Sequence, residues 1–322
     1  TTLFRSRIRD GPVSDNFNGV NIGMKSFEDN KPATDLLVKQ KEALQNGKYS
    51  IPPNYHLSFV CGGASDSSIR AQFLDFLNRQ GVSDLIVVLA EKSMEEVLAS
   101  DHTTFLNLSE FESLIAEIVD SILIFPESPG SFAELGYFAA NAGIAQKSLV
   151  VNSAEFQDGS FINYGPVPHL NSASIYQPFP IILADDYDAG FATAMGRLIE
   201  KTTKVWKYKR RLHMKPFKES SAKQIFLVFA ELLREWKIMS PENLRFSVKQ
   251  VMGSYDVKKL NRIMAVLVAM GYVVRDEYGD YKVVDSDWCL LDSDEAGKIS
   301  IDIIGYYQKH DPESLEAAGG AQ

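Results

Sequence analysis

The chain of 322 residues is 45 % hydrophobic and carries a formal net charge of −9. Its length suggests two domains, and its acidity excludes a protein that coats nucleic acid over its whole surface, although a local basic patch stays compatible. Cys61 and Cys289 lie far apart, and none of the five histidines sits at metal-ligand spacing, so we expect no metal and a reducing, cytoplasmic setting. No apolar run is long enough to span a membrane, and the start is too polar for a signal peptide, so we expect no membrane attachment.

Residues 1–54 are polar and read as an N-terminal arm. They are rich in Asn, Asp and Lys and contain four prolines. The sequence predicts a short helix at 34–45. We expect this arm to pack on the main domain or on a neighbouring subunit.

Residues 55–205 alternate apolar strands with amphipathic helices. The predicted strands are 56–61, 84–89, 121–125 and 147–152, with further strand-like sequence at 174–183. The predicted helices are 67–80, 91–98, 108–119, 131–141 and 190–204. This alternation predicts an α/β domain whose parallel, doubly wound sheet is covered by helices on both faces.

The remaining sequence divides into a basic connector at 206–219, a second domain at 220–290 and a tail at 291–322. Three predicted helices, 221–236, 241–252 and 256–270, precede two strands within 272–284. Three helices followed by a hairpin is the order of a winged helix-turn-helix. The tail ends in Ala, Gly and Gln, and we expect it to fray.

The turn between the third strand and the following helix is the leading candidate site. It contains Pro129, Gly130 and Ser131, which would bind substrate, and Glu134, which would act on it. Ligands of parallel sheets bind just outside the carboxyl ends of strands, and the free N–H groups of a helix start can hold a sugar or phosphate oxygen. The alternative is purely structural, because Ser131 and Glu134 have the spacing of a capping box.

Other residues near strand ends extend this candidate site. Glu127 and Asp120 are further candidates for catalytic carboxylates, although Asp120 opens a strand and its position favours a cap of the preceding helix or turn slightly over catalysis. Small residues after the first strand suit phosphate, and Arg70 adds a charged group. The additional substrate-binding candidates are Cys61, Gly62, Gly63, Ser68, Arg70, Asn163 and Tyr164. Their structural alternatives are a tight strand-to-helix turn with Cys61 as a packed thiol, and an ordinary Asn-containing turn.

Basic residues suggest a nucleic-acid contact or, equally, a solvated helix face. The candidates in and around the connector are Lys204, Lys207, Lys209, Arg210, Arg211 and Lys215, and those in the third helix of the second domain are Lys258, Lys259 and Arg262. Trp206, Tyr208 and Phe217 lie among the connector cations and would stack on bases or turn to the core.

The central stretch resembles nucleoside 2-deoxyribosyltransferases, and more closely the deoxyribosyltransferase-like effectors of bacterial retrons, which are anti-phage systems. The resemblance covers roughly residues 56–170. It rests on the motifs Cys61-Gly62-Gly63, Ser68 with Arg70, Asp120, 125–132, Glu134-Leu135-Gly136 and 160–167. It implies a flavodoxin-like strand order and a nucleophilic Glu134. The transferases carry an Asp in the turn where this chain has Glu127, which favours hydrolysis over transfer.

The resemblance implies a toxic N-glycosidase that cleaves NAD or another nucleotide, with NAD as substrate rather than cofactor. A carboxylate such as Glu134 would attack or stabilise C1′. The implied partners are the retron reverse transcriptase and its RNA-linked single-stranded DNA, and we expect a homo-oligomer or a larger assembly. Two alternatives remain open. One is a housekeeping deoxyribosyltransferase or nucleotide phosphoribohydrolase, and the other is a non-enzymatic, nucleotide-sensing DNA-binding regulator.

Overall fold

The computed structural model describes residues 25–52, 55–82, 84–89, 108–157, 159–182, 185–205, 210–284, 290–293 and 295–319. The described helices are α1 (Lys31–Gln45), α2 (Ile69–Gln80), α3 (Leu108–Ile118), α4 (Pro129–Ala139), α5 (Ala142–Ala145), α6 (Phe161–Tyr164), α7 (Pro166–Ala173), α8 (Tyr187–Val205), α9 (Ala222–Trp236), α10 (Pro241–Met252), α11 (Val257–Ala269), α12 (Ala296–His310) and α13 (Pro312–Gly319). The described strands are β1 (Tyr49–Ile51), β2 (His56–Cys61), β3 (Leu85–Val88), β4 (Ser121–Ile124), β5 (Ser148–Val150), β6 (Asn152–Ser153), β7 (Ile181–Ile182), β8 (Arg210–Arg211), β9 (Ile238–Met239), β10 (Val273–Arg275), β11 (Tyr281–Val283) and β12 (Asp292–Ser293).

A four-stranded parallel sheet in the order β3-β2-β4-β5 forms the centre of the α/β region. Every residue of β2 and β4 is buried, as expected for strands covered on both faces. Phe59 and Cys61 contribute to a core shared with α3 and α4, whereas Val60 faces a second core with α2 and α8. The predicted α/β fold with a parallel sheet is therefore confirmed.

The strand-like sequence at 174–183 forms only the short strand β7, which pairs with β6. Pro178 and Pro180 lack the N–H groups that a longer strand would donate. The helix predicted at 91–98 lies outside the described residues.

The C-terminal helices α9, α10 and α11 are followed by an antiparallel sheet in the order β10-β11-β9. Ser221 and Gln224 form a capping box at the start of α9. Gly279, with φ of 84°, allows the turn between β10 and β11. Three helices and then a hairpin appear in the predicted order, and β9 adds a third strand.

Residues 25–52, the described part of the predicted N-terminal arm, pack into the core of the C-terminal helices. Helix α1 begins at Lys31, three residues before the predicted start, with Asn30 as its N-cap, and it packs against α10 and α12. Strand β1 pairs with both β8 and β12. The apolar side chains Leu36, Leu37 and Leu44 fix this packing, because they are buried in the core that α9 also joins.

The prediction that the tail frays is wrong for residues 295–319, which form α12 and α13. Tyr306 and Tyr307 of α12 are buried and pack edge-on against Trp236 of α9. The Ala, Gly and Gln residues that suggested fraying occupy only the last positions of the chain, whereas these aromatic rings anchor the helix before them.

No helix in the described ranges combines the length and hydropathy that crossing a membrane requires.

Candidate active site

Helix α4 begins in the turn that follows β4, at the carboxyl edge of the parallel sheet. Ser128 is its N-cap, accepting a hydrogen bond from the Ser131 N–H at 3.2 Å, and the Ser131 Oγ accepts one from the Ser128 N–H at 2.9 Å. The capping box is thus formed by Ser128 and Ser131, with Pro129 as the first helical residue. The capping-box interpretation of Glu134 is wrong, because this residue lies in the second turn of α4.

The other predicted residues of this turn divide into buried and accessible ones. Ser131 is buried and also accepts a hydrogen bond from the Glu127 N–H at 3.0 Å, so it holds the turn together. Pro129 and Gly130 are exposed, and a Cβ on Gly130 would meet only the Ser128 Oγ, at 3.9 Å. The helix start therefore leaves open space beside Gly130.

Glu134 lies in a cluster of chemically active side chains from four elements. The thiol of Cys61, at the end of β2, is hydrogen-bonded to the Glu134 carboxylate, and the charges of Glu112 and Arg70 also act on this thiol. Glu112 belongs to α3 and Arg70 to α2, and both are buried. The cluster thus combines two carboxylates, a guanidinium and a thiol where α2, α3 and α4 meet the carboxyl end of β2.

Glu112 is the carboxylate that the sequence analysis missed. Burial raises the pKa of Glu112 to about 7, and the negative charge of Glu134 contributes to that rise. A carboxyl with such a pKa is partly protonated at neutral pH, and its protonated form can give a proton to a leaving group. The available signal was its position, since Glu112 follows Phe111 and precedes Ile115 on the apolar side of an amphipathic helix.

Cys61 is a packed thiol and not a nucleophile. Burial raises the pKa of Cys61 well above its usual range, and the nearby carboxylates add to the effect. A neutral thiol is a poor nucleophile. Its position beneath Glu134 suits orientation of that carboxylate through the hydrogen bond between them.

Glu127 holds the glycine turn after β2. Its carboxylate accepts hydrogen bonds from the backbone N–H groups of Gly63 at 2.8 Å, Ile69 at 2.6 Å and Arg70 at 3.1 Å. A side chain on Gly62 would clash with Arg70 and Glu127, because its Cβ would come within 2.7 Å and 2.9 Å of them. The protein's own carboxylate thus occupies the position at the start of α2 where the sequence predicts a phosphate.

Ser68 contributes to the same local structure. Its Oγ accepts a hydrogen bond from the Ala71 N–H at 3.0 Å and caps α2. Gly62, Gly63 and Ser68 are therefore accounted for by the packing of α2 on the sheet, whereas Arg70 reaches the Glu134 cluster.

Asp120 lies immediately before β4, at the amino end of this strand and therefore opposite the end from which α4 starts. It forms a short ion pair with Lys223 of α9 and accepts a hydrogen bond from the Leu57 N–H at 3.2 Å. Burial would raise the pKa of Asp120, but the charges of Lys223 and His56 and these hydrogen bonds bring it below its usual value. The structure separates Asp120 from Glu134 and gives it a connecting role, in place of the catalytic role predicted from its sequence context.

Asn163 and Tyr164 belong to α6. The Asn163 Oδ1 accepts a hydrogen bond from the side chain of Asn152 at 3.0 Å, next to the carboxyl end of β5. Tyr164 and Phe161 are 79 % and 84 % exposed, and the partly buried Ile162 between them packs on the core that includes Leu135 of α4. This helix places two exposed aromatic rings at the sheet edge from which α4 starts.

The predicted nucleic-acid residues have different environments. Arg262 of α11 forms an ion pair of 2.7 Å with Glu110 of α3, and Lys259 contacts the Ser220 carbonyl and the ring of Phe217. Lys258, Arg211 and Lys215 are exposed. Lys207 and Lys209 lie outside the described residues, as do Trp206 and Tyr208, and so do the side chains of Lys204 and Arg210.

Phe217 does not serve as a stacking platform for bases. It is buried and packs against Phe229 and Tyr255. The apolar alternative considered for the connector aromatics is therefore the one that Phe217 adopts.

Within the described residues, no group of three or more His, Cys, Asp or Glu side chains is arranged to hold a metal ion.

Comparison with known protein families gives a match. The family of the STM3845 retron effector protein matches residues 66–275, which are well over half of the chain and include Arg70, Glu112 and Glu134. The chain belongs to this retron effector family.

Two curated relatives of this retron effector come from Escherichia coli. One is a protein of retron Ec86, 41 % identical over 123 residues, which are 36 % of this chain and 39 % of that protein. The other belongs to retron Ec73 and is 29 % identical over 137 residues, 41 % of this chain and 43 % of that protein. Both names give a proposed ribosyltransferase and DNA-binding role. The alignments therefore span about two fifths of the curated relatives' length.

Proposed function

We propose that this retron effector is an N-glycosidase that cleaves the bond between base and ribose in a nucleotide, with NAD the favoured substrate. The observation that carries the proposal is the pairing of Glu134 with Glu112, whose pKa is raised to about 7 by burial and by the Glu134 charge. A carboxylate beside a carboxyl group of raised pKa can supply a nucleophile and an acid. The ribosyltransferase role in the relatives' names supports the same class of chemistry.

The proposed reaction has two steps. The Glu134 carboxylate attacks C1′ or stabilises positive charge there as the C1′–N bond breaks, and an adenine-like leaving base takes a proton from Glu112. Water then attacks C1′ and gives a proton to Glu112, which releases Glu134. Nicotinamide leaves NAD as a neutral molecule without taking a proton, so the departure of that base does not depend on the acid. With NAD, the proton of the attacking water passes to an ionised Glu112 or to solvent.

Water is the proposed acceptor of the sugar because of Glu127. In the transferases that the chain resembles, an Asp occupies the corresponding turn. Here the Glu127 carboxylate accepts three backbone hydrogen bonds at the start of α2, which leaves it poorly placed to bind an acceptor base. Hydrolysis is therefore favoured over base exchange, in a domain with a deoxyribosyltransferase-like fold.

The proposed partners follow from the family. We expect a retron reverse transcriptase and its RNA-linked single-stranded DNA to restrain the activity, and the effector to act as a homo-oligomer or within a larger assembly. The C-terminal helices and the β10-β11-β9 sheet are proposed to form a winged helix-turn-helix. The DNA-binding role in the relatives' names supports a nucleic-acid contact through this part of the chain.

The test is release of free base from NAD and from a panel of nucleosides and nucleotides by the purified chain. Replacing Glu134 with Gln keeps the shape of the side chain but removes its charge, and we expect the rate to fall by roughly a thousand-fold or more. The matched control is Glu117→Gln, the same change at an exposed position of α3. Both variants should melt at nearly the wild-type temperature.

Product analysis separates the alternatives. Sugar transferred to a second base would indicate a transferase, and tight nucleotide binding without products would indicate a sensor. Turnover that survives in a folded Glu134→Gln protein would refute the assignment of Glu134.

A further inference from the structure

A second concave site lies beside the three-stranded sheet β12-β1-β8, on a different sheet from Glu134. It is a cavity of about 480 Å³ lined by residues of the turn 46–50, by Arg211 and by residues 292–293. We name it the Lys48–Arg211 pocket. Its lining consists of polar and charged residues and one glycine, which suits a hydrated, charged ligand and not an apolar one.

Strand pairing explains why two cations meet here. Ser50 lies opposite Arg211 in the β1–β8 pair, and Lys48 precedes Ser50 by two residues. Side chains two apart along an extended chain point to the same face, so the side chains of Lys48 and Arg211 share one face, while Tyr49 is buried on the other.

Gly47 allows the turn that enters β1. Its φ of +64° is one that L side chains rarely adopt, and a Cβ there would lie 3.3 Å from His213. The turn therefore packs directly against the segment that follows β8, which brings the imidazole of His213 close to the pocket.

The charge balance of the pocket favours an anion. Lys48 and Arg211 are exposed, and among the described residues neither forms an ion pair with a carboxylate. Asp292 contributes the one acidic side chain among the lining residues, so two cations face a single carboxylate. Exposed cations that converge on a concave polar surface are a common way to bind phosphate groups.

We propose that the Lys48–Arg211 pocket binds the phosphodiester backbone of a single-stranded nucleic acid. The sequence around β8 indicates this occupant, since residues 201–218 contain eight Lys and Arg residues and no Asp or Glu. In a chain of net charge −9, such a local concentration attracts a polyanion more strongly than a single small anion. The proposal rests on the nucleic-acid partner proposed above and is independent of the glycosidase chemistry.

The test measures binding of a fluorescein-labelled 20-nucleotide single-stranded DNA by anisotropy across a range of salt concentrations. For the double variant Lys48→Glu/Arg211→Glu, we expect at least a ten-fold loss of affinity. The slope of log affinity against log salt should also fall by about 1.4, the value for two phosphate contacts. The conservative variant Lys48→Arg/Arg211→Lys should keep most of the affinity.

The control is Lys249→Glu/Lys309→Glu, which changes net charge equally at two exposed lysines elsewhere. Equal losses in both double variants would show a diffuse charge effect and overturn the pocket assignment, as would unchanged binding in the first. Displacement of the DNA by micromolar AMP would assign the pocket to free nucleotides instead. Base release from NAD is measured in the same proteins and should be unchanged in all of them. A failure of the pocket proposal can therefore be told apart from a failure of the glycosidase proposal.

Discussion

Two influences raise the pKa of Glu112 to about 7, namely its burial and the charge of Glu134. An acid works in its protonated form, so a reaction that depends on Glu112 should be fast below pH 7 and slow above it. We predict this descending limb near pH 7 for release of adenine from a nucleoside, measured as a pH profile of the turnover rate. Glu112→Gln should abolish the limb and lower the rate roughly 10²- to 10⁴-fold.

NAD and an exposed glutamate provide the comparisons for that experiment. Release of nicotinamide should respond much less to Glu112→Gln, because this base leaves without a proton. Glu117→Gln, on the solvent side of the same helix, should keep the wild-type profile. A limb that persists near pH 7 in the Glu112→Gln protein belongs to another group, and the proposed acid is then wrong.

Sequence reasoning predicted Glu134 and overlooked Glu112 for a physical reason. Glu134 lies in a local strand-turn-helix motif that can be read along the chain. Glu112 acquires its character from packing, because α3 places it next to residues that are distant in sequence. The same holds for Glu127, whose hydrogen bonds at the start of α2 and in the turn before it join positions 57 to 64 residues apart.

The start of α2 depends on the turn before α4, since Glu127 accepts its N–H groups. We predict that Glu127→Gln lowers the free energy of unfolding by about 1–3 kcal/mol, because an amide loses the charge and part of the acceptor capacity. Urea denaturation at pH 7 gives this value. The rate of base release per folded molecule should change little, and a large loss of turnover with full stability would indicate a catalytic Glu127.

A solvent-exposed glutamate of the same region is the matched control. Glu155→Gln, at an exposed position after β6, should stay within about 0.5 kcal/mol of the wild-type stability.

Most strands of the sheet were predictable as elements because they are short, apolar and fully buried. The boundaries of α4 were not, since its cap uses Ser128 and Ser131 while the sequence also offers Ser131 with Glu134 at capping-box spacing. The prediction for the C-terminal tail was wrong because the small and polar residues that suggested fraying lie only at its end. The buried aromatic pair Tyr306 and Tyr307 decides how the tail packs.

At the scale of the whole molecule, ion pairs within the described residues join the sheet region to the C-terminal helices, namely Asp120 with Lys223 and Glu110 with Arg262. The pair of Asp120 with Lys223 is largely buried, with 12 % and 21 % of the side chains exposed. We predict that Lys223→Met costs about 3 kcal/mol at pH 7, because it leaves a buried carboxylate without its cation. The pKa of Asp120 is lowered in the wild type, so this stability is present at neutral pH and is lost as the pH falls through that pKa.

Urea denaturation at neutral and at acidic pH tests this expectation. The loss of stability caused by Lys223→Met should shrink in acid. There Asp120 is protonated in the unfolded chain, and in the folded variant, which lacks the lysine, it also takes up a proton more readily than in the wild type. The more exposed pair of Arg262 with Glu110 is the comparison, and Arg262→Gln should cost no more than about 1 kcal/mol. A deficit for Lys223→Met that is the same at every pH would contradict an electrostatic origin.

The arrangement of the two regions was beyond sequence reasoning. The pattern of residues 25–52 predicts a helix and a polar arm, but it does not reveal that α1 packs on α10 and α12 or that β1 joins distant strands. Such contacts depend on surface complementarity between segments hundreds of residues apart.

Helix α3 carries Glu112 and packs against α9 and α11. Both helices also form ion pairs near the ends of α3. Arg262 pairs with Glu110 near its start, and Lys223 pairs with Asp120 just beyond its last residue. The proton affinity of Glu112 depends on its separation from Glu134, and α3 sets one side of that separation. The contacts of α9 and α11 therefore help to set an ionisation equilibrium at a carboxyl group of the sheet region.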